Sequence, residues 1–192
     1  MEQLQQALKQ FAGISDEDWQ LSAPHWRSLH IKKGNFFNHH NHVCKHVAFI
    51  VKGFFRLYYV DTKTDKEHNL FFLGHQHFMV SLKSFLTGIP CPYNIQATED
   101  AELFVIDNET LQQLYNSHGW ERFGRLLAEQ YFIYNQARAE DLLTRTAEER
   151  YLLLLEQYPD ILNRVSLGHI SSYLGLEGPS LSRIRKRLAN RR

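Results

Sequence analysis

The spacing of hydrophobic and polar positions divides this chain into a short helical start, a long strand-rich middle and a helical second half. At the start, Leu4, Ala7, Leu8 and Phe11 recur at steps of three and four, the mark of a helix with one apolar face. Ser15-Asp16-Glu17-Asp18 follows as a second helix start, with acids where the helix dipole favours them. From Trp26 to Ile106 the pattern changes to short apolar or alternating runs at 28–32, 47–51, 54–60, 69–72, 93–97 and 103–106. Turn-like stretches such as Lys33-Gly34-Asn35, Lys52-Gly53 and Leu73-Gly74-His75 separate them. Many short strands at regular spacing predict a barrel or sandwich rather than alternating α and β units. After Asn108 the helical period returns, first in a short helix carrying Leu111, Leu114 and Tyr115, then over 120–146, where there is no proline and no glycine after Gly124. A helix of about 25 residues is ~38 Å long, too long for one small domain to cover, so it is expected to pair with a second copy of itself. Phe123, Leu127, Gln130, Tyr134 and Ala137 are the expected dimerisation contacts.

The last segment holds two closely joined helical patterns. Ser166 is placed to cap the first, whose core face is expected to be Leu167, Ile170 and Leu174; Gly175 supplies a tight turn and Pro179 opens the second. In that second helix Leu181, Ile184 and Leu188 fall on one face. The opposite face presents Ser182, Arg183 and Lys186, with Arg187 flanking and Ser180 near the N-terminal end. An apolar inner face and a guanidinium-rich outer face suit the DNA major groove, where one arginine can make paired hydrogen bonds to guanine. Arg183 is the candidate for base contact, and Ser180, Ser182, Lys186 and Arg187 are candidates for phosphate contact.

Charge sharpens this picture. The formal net charge of the chain is +1, yet residues 164–192 hold seven basic residues against the single acid Glu177. The positive field is thus confined to the last few dozen residues, the footprint of a nucleic-acid-binding tail on an acidic body. A composition that is 43% hydrophobic and 13% aromatic can fill a real core and excludes disordered and fibrous classes. The first residues show no basic stretch followed by an apolar one, and no run approaches a membrane span of ~18 apolar residues, so a soluble, cytoplasmic protein is expected. Two cysteines, Cys44 and Cys91, are too few for a disulfide framework or a four-cysteine cluster, and no cofactor is expected.

The C-terminal pattern, Ile170 followed by Gly175-Leu176 and then Ser180-Leu181-Ser182-Arg183-Ile184-Arg185-Lys186, joins Phe49-Ile50-Val51-Lys52-Gly53 upstream in a resemblance that covers nearly the whole chain. These residues resemble the cyclic-AMP receptor protein and fumarate–nitrate regulator (Crp/Fnr) superfamily, and Glu149-Arg150-Tyr151 with the leucines after it is similar to members found in Bacteroidetes. The resemblance implies an α+β chain: an N-terminal double-stranded β-helix of the cyclic-nucleotide-binding, cupin-like jelly-roll type, a long dimerisation helix, and a C-terminal all-α helix-turn-helix. Sensor, dimerisation helix and DNA-binding domain are expected at 1–118, 119–146 and 147–192. It further implies a bacterial homodimer binding a palindromic operator, with Arg183 matching the arginine that reads a guanine. Double-stranded DNA, a second copy of the chain, RNA polymerase and a small effector of open identity are the implied partners; no membrane is among them.

The sequence also departs from that family. Ser81 stands where the ribose-binding glutamate would be, and the stretch from Cys91 to Ala97 has no arginine to hold a cyclic phosphate. Binding of cyclic AMP in the usual way is therefore not expected, and Phe78, Ser81, Leu82 and Tyr93 are left as candidate lining for some other ligand. His39, His40, His42 and His46 around Cys44 are metal-ligating residue types, but in a turn-rich region they read as exposed loop residues and no metal site is expected. The wing that follows the recognition helix in the family is expected to be reduced or absent, with Arg191 and Arg192 partly replacing its backbone contacts. The alternatives are a cupin-like metal-binding β-barrel enzyme and a ligand-independent protein-interaction module. No catalytic residue is expected.

Overall fold

In the computed structural model of the chain, residues 1–190 are described; the expected contacts of Arg191 and Arg192 lie outside the described residues. Two helices open the chain, α1 (Glu2–Ala12) and α2 (Asp16–Ser22). The Ser15 side chain accepts a hydrogen bond from the Asp18 amide and so caps α2 at the predicted point. Eight strands follow: β1 (Arg27–Ile31), β2 (Phe36–Asn38), β3 (His46–Lys52), β4 (Phe55–Val60), β5 (Glu67–Leu73), β6 (Phe78–Met79), β7 (Asn94–Ala97) and β8 (Ala101–Asp107). A short helix, α3 (Leu82–Thr87), lies between β6 and β7. All pairings are antiparallel, in two four-stranded sheets of order β1-β8-β3-β6 and β2-β7-β4-β5. The α+β class and the predicted strands are found. The two short strands β2 and β6 are additions, each too short for alternation to be read from sequence.

The remaining elements are helical: α4 (Asn108–Leu114), α5 (His118–Thr144), α6 (Ala147–Gln157), α7 (Ile161–Arg164), α8 (Leu167–Tyr173) and α9 (Gly178–Ala189). α6 begins with a reciprocal capping box between Thr146 and Glu149.

Burial is organised in three layers. Between the sheets, Ile31, Ala48, Ile50, Phe55, Leu57, Ile95 and Leu103 interdigitate. The outer face of the first sheet, with Val47 and Phe49, is covered by Leu4 and Leu8 of α1 and by Trp120, Phe123 and Leu127 of α5. The outer face of the second sheet, with Phe72, is covered by Tyr151, Leu154, Ile170 and Leu174 from the C-terminal helices. β3 is buried on both faces, Ala48 and Ile50 inward and Val47 and Phe49 outward, which is why it reads as an unbroken apolar run. Gly53 turns β3 into β4 at φ 116, and a Cβ there would lie 2.5 Å from the Ala101 Cβ, so no other residue fits without displacing β8.

The structure separates the two faces of α5. Phe123 and Leu127, expected at a dimer contact, lie in the core of their own chain at 0% and 2% exposure. Gln130 and Tyr134 line gaps between α5 and the second sheet, and Ala137 faces the C-terminal helices. Phe132 comes nine residues after Phe123, half a turn round the helix at about 100° per residue. It is 69% exposed, with Ile133 and Leu143 at 60% and 86%. Replacing Phe123 by alanine is expected to lower folding stability by about 3–5 kcal/mol, the usual result of emptying a buried phenyl site, as measured by urea denaturation.

Candidate nucleic-acid interface and ligand pocket

The turn between α8 and α9 is built as the residues predict. Ser166 accepts from the His169 amide at the start of α8, Gly175 takes the left-handed conformation at φ 68, and Pro179 lies in the first turn of α9. The buried Ser171 hydroxyl donates to the Leu176 carbonyl at 2.9 Å, and the Leu176 amide returns a bond to the Ser171 carbonyl at 2.9 Å, locking the angle between the helices. Leu181 and Ile184 of α9 are buried against Ile170 and Leu174 of α8. Leu167 is a correction to the expected core face: it is 42% exposed, because α8 starts at that residue and its first turn projects beyond the layer.

On the outer side of α9, Ser182, Arg183, Arg185, Lys186 and Arg187 are exposed. Arg183 donates to the half-buried Ser180 hydroxyl at 3.0 Å, which holds its guanidinium at the N-terminal end of the helix. Arg187 is ion-paired to Glu148 of α6, and that bond ties α9 to the start of α6. Arg185 was not singled out from sequence, though it lies on the same exposed surface.

The helix pair is held to the body by a polar clamp. Arg164 pairs with Glu99 at 2.6 Å, donates to the Gly53 carbonyl at 3.2 Å and lies 4.3 Å over the Phe54 ring. Ser172 accepts from the Asn69 amide at 3.0 Å and donates to the Glu67 carbonyl at 2.5 Å, joining α8 to β5. Glu67 also pairs with Arg56, whose guanidinium further bonds Gln96 at 2.9 Å and 2.6 Å. These bonds keep the Glu67 carboxyl below the usual carboxylate range.

Within the β domain, the candidate lining residues are engaged with one another. The Ser81 hydroxyl donates to Cys91 Sγ at 3.0 Å, the Cys91 thiol donates to the Tyr93 carbonyl at 3.1 Å, and the Ser81 amide donates to Cys44 Sγ at 3.4 Å. Phe78 packs between Phe11, Phe49 and Phe123. Leu82 opens α3, and the Tyr93 ring meets Tyr59 edge-on, its phenol pushed well above the usual value by burial. Tyr131 of α5 reaches in to donate to the Val80 carbonyl at 2.7 Å and accept from the Val80 amide at 2.9 Å. Sequence reasoning missed Tyr131, since only the fold brings α5 against residue 80. The space left near it, among Leu57, Phe71, Leu73, Tyr131 and Tyr134, is about 30 Å³, room for about two waters.

The histidine rings of 39, 40 and 42 neighbour one another, with centroids of His39 4.7 Å from His40 and 5.8 Å from His42. Among the described residues, no group of three or more His, Cys, Asp or Glu converges to hold a metal ion, and no helix is long and apolar enough to cross a membrane.

Comparison with known proteins agrees with this geometry. Residues 28–118 match the family described as the cyclic nucleotide-binding domain. A Crp/Fnr family transcriptional regulator from Eubacterium rectale superposes with a TM-score of 0.73 at 17% identity, over 93% of this chain and 85% of that one. FixK2 from Bradyrhizobium japonicum gives 0.76 at 16% identity, over 86% and 85%. The c-di-GMP responsive global regulator CLP of Xanthomonas campestris gives 0.70 at 15%, over 92% of each chain. The comparison with curated proteins by sequence gives no match. Residues 28–118 are therefore similar to the cyclic nucleotide-binding domain family, and the chain takes, over nearly its full length, the fold seen in Crp/Fnr transcription regulators.

A cyclic nucleotide does not fit the residues present. The 30 Å³ space has no arginine or lysine on its walls. Arg56, the buried arginine of the roll, belongs to the outer face of its sheet and is taken by Glu67 and Gln96. An anionic phosphate buried there would lose its water without gaining charge-assisted bonds.

The clamp carries a pH dependence. His169 lies 3.5 Å from Glu67, yet burial and the nearby Arg56 lower its pKa below 6.5, outweighing a carboxylate that Arg56 already neutralises. Because the folded value lies below the unfolded one, His169 favours the docked state above pH 6.5 and opposes it as pH falls through and below that value. H169Q is expected to show a flatter decline of stability between about pH 7 and pH 5 than the parent protein, measured by urea denaturation across that range.

Proposed function

We propose that the chain is a homodimeric, DNA-binding transcription regulator of the Crp/Fnr type whose sensor domain does not take cyclic AMP in the usual way. The observation that carries this reading is α9, which buries Leu181 and Ile184 while leaving Ser182, Arg183, Arg185 and Lys186 open to a partner. Such a helix enters the major groove, where Arg183 reads a guanine edge and Ser180, Ser182 and Lys186 position the helix on phosphates. Arg187 is the weakest of the expected phosphate contacts, since Glu148 already neutralises it. Residues 1–118 form the sensor, 119–146 the dimerisation helix and 147–192 the DNA-binding domain.

Dimerisation is assigned to the exposed side of α5. Phe132, Ala139 and Leu143 fall within a narrow stripe along the helix, on the side away from Phe123. Two such helices packed together place two recognition helices about a two-fold axis, the geometry a palindromic site requires. The expected F132D protein sediments as a monomer and keeps its secondary structure; a variant that remains dimeric moves the contact elsewhere.

Selection of genomic fragments by the purified protein at near-physiological salt is expected to recover a palindrome with half-sites about one helical turn apart. On that site R183A should bind about ten- to a hundredfold more weakly, with sequence-independent binding far less affected. Equal affinity of R183A and the parent protein for the operator removes the base-reading role.

A further inference from the structure

A cleft of about 170 Å³ separates the edge strand β5 from the middle of α5 and the C-terminal ends of α6 and α8. Its walls include the rings of Phe71, Tyr134, Tyr158 and Tyr173. The shape therefore suits a flat ring, and a volume below the ~300–1,000 Å³ of drug-sized sites limits the ligand to one ring with a short arm. The cleft lies outside the β-roll, at the junction of sensor strand, long helix and helix-turn-helix.

The charge of the cleft selects the rest of the ligand. Arg138 lines it, donates through one Nη to the Tyr173 carbonyl and lies 3.9 Å over the Tyr173 ring. Its Nε is buried with no hydrogen-bond partner, and among the described residues no carboxylate lies within ion-pairing distance of this guanidinium. Asp141 also lines the cleft and attracts Arg138 from beyond ion-pairing distance, but its carboxylate is paired to Arg145 at 2.6 Å. A half-buried cation with no carboxylate in direct contact is costly to keep, and a bound anion lowers the cost. Burial, with a smaller contribution from Arg150, lowers the Arg138 pKa even though Tyr173 and Asp141 oppose the shift.

We propose that this cleft binds a small aromatic carboxylate, its ring among Phe71, Tyr134, Tyr158 and Tyr173 and its carboxylate on Arg138. The same guanidinium holds the last helical carbonyl of α8, so a carboxylate that draws it away loosens one tie between α5 and the helix-turn-helix. Occupancy and the docking of α8 are thereby linked. That this ligand is an effector rests on the regulator reading; the binding itself does not.

Isothermal titration of the full chain with benzoate, phenylacetate and 3-phenylpropionate, each beside its uncharged alcohol, tests the site. At least one acid is expected to bind about tenfold or more tightly than its alcohol. R138Q should erase that preference and R138K should retain part of it. Since Arg138 also supports α8, A137W provides a second test: it fills the cleft with Arg138 in place, and should abolish binding while circular dichroism is unchanged. No binding by any acid at low-millimolar concentration, equal affinity for acid and alcohol, or undiminished affinity in A137W would overturn the proposal. Because each readout is made on the free protein, failure here is distinct from failure to bind an operator.

Discussion

Five side chains in a row, Arg164, Phe54, Phe72, Tyr173 and Arg138, hold the two ends of this molecule together. Arg164 lies over Phe54, Phe54 stacks on Phe72 with centroids 6.0 Å apart, Phe72 meets Tyr173 at 5.1 Å, and Tyr173 lies under Arg138. Each ring buries a large apolar area and each terminal cation faces a π cloud, so the row joins packing to directional contacts. It runs from α7 through the outer face of the second sheet to α8 and then to α5. Without this cover, Phe54 and Phe72 would be exposed on an open sheet face, and the C-terminal helices would lose most of the third core.

The same constraint bears on the proposed function. A helix-turn-helix docked rigidly on a sensor strand can report events at that strand, because β5 contributes both to the inner core and, through Glu67, Asn69 and Phe72, to the interface with α8. Ser172 touches two backbone groups of β5 directly, so a shift of the strand is felt by α8 without an intervening loop. Arg138 and Arg150 add a second route: both donate to carbonyls at the end of α8, Tyr173 and Leu174, from α5 and α6. The cations therefore complement the negative end of the short helix that supports recognition. The interior of the roll, by contrast, is filled by its own side chains, and Tyr131 of α5 bonds both backbone groups of Val80 from outside it. On the proposed reading, the place for an effector is therefore the outer side of the sheet pair and not its inside.

Sequence reading went furthest where local chemistry decides conformation. Ser15, Ser166, Gly175 and Pro179 act through bonds or dihedrals within a few residues, and each is found in its expected role. The opposition of Leu181 and Ile184 to Arg183 and Lys186 follows from helical periodicity alone and needs no knowledge of the rest of the chain. Strands β2 and β6 were not legible because three or two residues show no period.

What the sequence determined by itself was therefore the succession of elements, the position of the turn between α8 and α9 and the polarity of α9, all consequences of short-range sterics and periodicity. What only the tertiary structure decided was which apolar residues face which neighbour. α5 carries apolar side chains on both sides, so its pattern could not tell Phe123, buried in its own domain, from Phe132, open on the far side. The pairing of Arg187 with Glu148, the bonding of Tyr131 to Val80 and the position of Arg138, without a direct ion pair, in an aromatic cleft were equally hidden. Each joins residues tens of positions apart, and burial and electrostatics between such residues exist only once the chain has closed upon itself.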